Sequence, residues 1–134
     1  MKILRYLLCI LLVSLCSIAF AQSDAQKSFA AMKTLAGSWE GSVTTTPKMK
    51  EMGEGAATEV TLRVTSRGNA VLHQMKEAGK PEDPTKYDEP ITMFYLDEGR
   101  LLLTHYCDAG NRPRMTGKAS PDGKKVEFDF LDLS

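Results

Sequence analysis

The chain is poor in the side chains that usually mark chemistry. Its 134 residues hold two histidines, three cysteines and one tryptophan. Seventeen Lys and Arg stand against seventeen Asp and Glu, and no basic run breaks the balance. The charge footprint of a nucleic-acid binder is therefore missing, and nucleic acid is not an expected partner. The sequence has no internal repeat and no low-complexity tract, which excludes a repeat array and a biased-composition chain. One long apolar run exists, "YLLCILLVSLCSIAF" at residues 6–20. It is too short for a comfortable membrane span, and no basic stop-transfer flank follows it.

That run follows Lys2 and Arg5 and ends at Ala19-Phe20-Ala21, an A-x-A cleavage signature. Residues 1–21 read as a secretory signal peptide cut before Gln22, and residues 22–134 as one mature domain. Leu15 precedes Cys16, where lipoprotein processing wants a small residue. The expected product is secreted or periplasmic, with no stable membrane anchor. Cys9 and Cys16 leave with the leader. Cys107 is then alone in an oxidising compartment, so the mature domain has no internal disulfide. Its stability must come from the core and the sheet.

"SDAQKSFAAMKTLAG", residues 23–37, opens the domain. Ser23 or Asp24 caps a helix, and Ala25, Phe29, Met32 and Leu35 or Ala36 recur at helical spacing until Gly37 stops it. The pattern then changes to period two. It predicts strands near 39–46, 58–66, 70–77, 90–96, 101–107, 114–119 and 125–131. "PKMKEMGEGAA" and "AGKPEDPTKYDEP" read as polar loops.

Three hairpins can be read in register. A two-residue turn at Gly68-Asn69 sets Val64 opposite His73 and Leu62 opposite Met75. It gathers Val60, Leu62, Val64, Val71, His73 and Met75 on one face. A turn at Glu98-Gly99 sets Leu96 opposite Leu101, Phe94 opposite Leu103 and Thr92 opposite His105. An even-length loop around Asp122-Gly123 sets Ala119, Gly117 and Met115 opposite Val126, Phe128 and Phe130. Strands that sort apolar-in and polar-out with mostly short connections imply a mainly β fold. The expected form is an antiparallel up-and-down meander, curled into a barrel or bent sheet, with a short N-terminal helix.

"LAGSWEGSV", residues 35–43, carries a resemblance. A short helix followed by Gly37-Ser38-Trp39 resembles the G-x-W start of the calycin barrels, the lipocalins and fatty-acid-binding proteins. It is also similar to the G-x-W-x-G-x-G start of nitrobindin-type haem-binding barrels, with Val43 in place of the third glycine. "LTHYCDAGNRPRM", residues 103–115, resembles an uncharacterised bacterial secreted family with a lipocalin-like fold. The resemblance covers most of residues 28–131 and implies a lipocalin-like barrel. Trp39 is expected to plug its closed end, with Arg112 or Arg114 over the ring. Such barrels have more strands than the seven read here, and nothing matches the C-terminal haem-ligating histidine of the nitrobindin type. The expected barrel is therefore incomplete, with a last strand whose open edge invites self-association.

The richest stretch is "THYCDAGNRPRM", residues 104–115. His105 and Cys107 alternate at a strand end and are expected to face one way, while Asp108 to Arg112 suit a turn. Same-face neighbours lie about 7 Å apart along a strand, long for a nucleophile and its base. A buried thiol beside a hydrogen-bonded core histidine is the better reading. His73 and His105, one strand apart, sit roughly 10 Å from each other and with Cys107 make an incomplete zinc set. No catalytic residue, metal or cofactor is assigned. The expected function is binding of a small apolar or amphipathic molecule. Its pocket would be lined by Val64, Val71, His73, Met75, Phe94, Leu103, His105 and Phe128. Two alternatives stay open. One is a structural or interaction module with a filled core. The other is a haem-binding or enzymatic barrel using His105 or His73.

Overall fold

Ser23 starts the first element of the computed structural model, which describes residues 22–50 and 53–134. The expected signal peptide lies outside the described residues. Helix α1 spans Asp24–Thr34 and opens with a capping box. The Gln26 backbone N–H donates to Ser23 Oγ at 3.2 Å, and the Ser23 N–H donates to Gln26 Oε1 at 2.8 Å. Two otherwise orphaned donors are thereby satisfied.

Seven strands follow: β1 Gly37–Ser42, β2 Ala57–Thr65, β3 Ala70–Glu77, β4 Ile91–Asp97, β5 Arg100–Tyr106, β6 Pro113–Ala119 and β7 Val126–Leu133. They form one sheet in chain order, and every neighbouring pair is antiparallel. β1 pairs with β2 and β7 with β6, but β1 and β7 do not meet, so the sheet is open and the barrel is not closed. This is the mainly β up-and-down meander with one helix that the sequence pattern implies.

The β4–β5 and β6–β7 registers follow the sequence reading pair for pair, up to a bulge near the end of β7. The β2–β3 hairpin does not. Leu62, not Val64, stands opposite His73; Val64 faces Val71 and Val60 faces Met75. The chain takes left-handed φ angles at Ser66 (53°), Arg67 (53°) and Gly68 (89°). The turn is therefore the four residues 66–69 rather than two. A slip of two residues preserves the faces, because strand side chains alternate with period two.

One sheet face packs against α1. Phe29 from the helix is 4% exposed and meets Val71 (0%) and Leu101 (1%). Ala25, Met32, Leu62, Phe94, Leu96, Val126 and Phe128 close around them. Burying a side chain of this size contributes about 2 kcal/mol. The opposite, outer face is apolar only at its centre. Leu102 is fully buried there, between Tyr95 and Thr116 on the neighbouring strands. Tyr95 Oη and Thr104 Oγ1 share a hydrogen bond of 3.2 Å.

Candidate functional site

The helix face is built of cross-strand rows. One runs Val64, Val71, Phe94, Leu103, Met115 and Phe130 across six strands. The next runs Gly37, Leu62, His73, Thr92 and His105, and a third Trp39, Val60 and Met75. On the other side of the long row lies Leu96, Leu101, Gly117 and Phe128, the end that α1 covers. At the rim of the face, Trp39 is 52% exposed and Phe130 64%.

The second row holds both histidines with Thr92 between them. Thr92 is buried, and its Oγ1 lies 2.8 Å from His105 Nδ1, which fixes that ring. His73 packs edge-on to Phe94, with ring centroids 6.3 Å apart. Its Nδ1 is buried without a hydrogen-bond partner. Burial, and then the nearness of His105, hold the His73 imidazole below its ordinary titration range. Both effects disfavour the charged form.

All eight residues expected to line a pocket carry side chains on this one face, but they do different things. Val71, Phe94 and Phe128 pack under the helix, with Phe94 and Phe128 ring centroids 5.6 Å apart. Leu103 is buried at 7% exposure, and Val64 stands 37% exposed near the end of β2. His73 and His105 share the row with Thr92. Met75 lines a groove of about 280 Å³ with Gly41, Val43, Thr58 and Val60. Thr92 was not among the eight, although the Glu98-Gly99 turn already set it opposite His105.

Two expectations are corrected. Trp39 does not plug the interior: it is half exposed, and its Nε1–H donates to the Leu35 carbonyl at 3.0 Å. Arg114 is occupied by Asp132 instead. Cys107 does not share a site with His105. It lies just past β5, where strand alternation ends, and borders a cleft on the outer face. The floor of that cleft is the row Gln74, Ile91 and Tyr106, and residues 84–89 form its wall, around about 580 Å³. The wall is tied down where the Asp108 N–H donates to Asp88 Oδ1 at 3.1 Å. The sequence marks the wall only as part of the polar loop "AGKPEDPTKYDEP", and no periodicity shows that it closes over the β3–β5 row. Among the described residues, no three of His, Cys, Asp and Glu form a metal-binding group.

The class these observations define is an open antiparallel seven-stranded meander with an N-terminal helix on one face. No protein-family model, curated protein or solved structure matches the chain.

Proposed function

We propose that the domain is a lipocalin-like binding module for a small apolar or amphipathic molecule, held on the part of the helix face that α1 leaves uncovered. The supporting observation is the division of that face. One end is sealed by Phe29, while the other presents Trp39, Val60 and Met75 beside a groove and two histidines. Apolar walls with a few placed polar groups suit such ligands. Native mass spectrometry of the purified protein tests the reading. A co-purified small molecule supports it. A bare chain, together with unchanged Trp39 fluorescence across a panel of amphiphiles, refutes it.

A second reading, an interaction module, rests on the open edge of β7. Phe130 and Leu133 are 64% and 60% exposed there. A strand with unpaired backbone groups and apolar side chains is a template for another chain.

We also propose that the protein is exported and starts at Gln22. Among the described residues, no helix is long and apolar enough to cross a membrane. N-terminal sequencing of exported material checks this; a protein that retains residues 1–21 in the membrane fraction refutes it.

A further inference from the structure

The charge pattern of the helix face narrows the ligand. By register, its strand residues are uncharged except Glu77, at the end of β3 opposite Thr58. Glu77 has Lys80 for a neighbour at 4.0 Å. Lys33 on α1 is engaged elsewhere, its Nζ 5.0 Å from the Phe29 ring centre and 3.4 Å from the Gly68 carbonyl. The titratable groups of the uncovered half are therefore the two imidazoles and Glu77, the groove itself carries only the hydroxyls of Ser42, Thr44 and Thr58, and no lysine or arginine of these strands stands ready for an anion.

Protonation decides what the rings offer. A buried orphan nitrogen costs less as an acceptor than as an N–H, so the His73 proton belongs on Nε2. In His105, Thr92 holds Nδ1. Either the Thr92 hydroxyl or Nδ1 can donate there, so His105 Nε2 is donor or acceptor according to the tautomer. His73 then presents an N–H to an acceptor oxygen, and His105 a second ring nitrogen in the same cross-strand row. His73 stays neutral at neutral pH, because burial and the second ring oppose its charge.

Resting on the ligand-binding reading above, we propose that this half-face selects an uncharged amphiphile. Its apolar chain lies against Trp39, Val60 and Met75, and an alcohol, ether or carbonyl oxygen accepts from His73, in the row that ring shares with His105. An ionised carboxylate would leave water to meet a neutral His73 and strands that turn no lysine or arginine to this face, which is costly. It would bind only with a proton taken up by His73 or by itself.

Trp39 is the chain's single tryptophan and lies on this face, so its fluorescence reports binding directly. The protein as exported is titrated with 1-decanol and with decanoate in mildly alkaline and in mildly acidic buffer. In alkaline buffer, 1-decanol is expected to bind about tenfold tighter or more. The gap should narrow in acid, mainly because decanoate improves. H73F should reduce the preference, and T92V, which frees the His105 ring, serves where H73F does not fold. Decanoate binding as tightly as 1-decanol in alkaline buffer overturns the selectivity and leaves the ligand-binding reading standing. So does a preference unchanged in both variants. If neither probe binds, both inferences fall together.

Discussion

Arg114 and Asp132 form a two-pronged ion pair, Nε to Oδ1 at 2.7 Å and Nη2 to Oδ2 at 2.5 Å, because β7 carries one residue more than β6 at that point. Met115 faces Phe130 and Arg114 faces Asp132, so Leu131 is the extra residue, unpaired across the ladder. A bulge of this kind bends the strand and re-aims the next side chain. Without it, Asp132 would fall on the helix face and leave Arg114 alone.

Arg114 holds the Asp132 carboxyl below its ordinary value of 3.8. A depressed carboxyl contributes stability above its unfolded pKa, and that stability is lost as pH falls through the folded value. D132N is therefore expected to be less stable than the parent at neutral pH, by a small, salt-screened amount, since the pair is partly exposed. The two proteins should converge in strong acid. Urea unfolding at neutral and acid pH measures both; an equal gap at the two pH values contradicts the assignment.

Gly117 is a matter of space. A Cβ there would come 2.8 Å from Phe128 Cε1 and 3.1 Å from the Leu101 side chain. G117A should cost about 1–3 kcal/mol, because the ring must shift in a packed core. Chemical denaturation reads this directly, and a neutral or stabilised variant would show that the ring is not packed against the glycine.

His73 should make stability depend on pH. Its folded pKa lies below the ordinary 6.5. The unfolded chain then binds more protons between the two values, so stability is full above 6.5 and declines as pH falls toward the folded pKa. H73F should flatten that decline. An NMR titration placing the His73 ring at or above 6.5 would remove the basis for the expectation.

How much of this was legible depended on the turns. Glu98-Gly99 and Asp122-Gly123 announce tight turns through their glycines, and both hairpins fell into register. At 66–69 the left-handed conformation begins at Ser66 and Arg67, residue types that carry no such cue, so the pairing was misplaced by two. The faces survived because two is the period of a strand. Trp39 misled for a different reason. Its place opposite Val60 puts it at an open rim, and no pattern within one strand tells whether a sheet closes.

The open edge of β7 gives a fourth expectation. Phe130 is the most exposed large apolar side chain along it. The protein should self-associate with rising concentration, and F130K should weaken this by placing a charge in the contact. Sedimentation velocity over a wide concentration range decides; a parent protein monomeric throughout would end the interaction-module reading.

Seven strands that alternate in direction leave the first and last pointing the same way. β1 and β7 both run up the sheet if β2 runs down, so joining them directly would need a parallel seam in an otherwise antiparallel ladder. An odd count cannot close with every neighbour opposed. Closure with every neighbour opposed takes an odd number of added strands, and those beside β1 and β7 run against them. Topology thus gives the edges of β1 and β7 the same polarity, so one orientation of an antiparallel partner suits both.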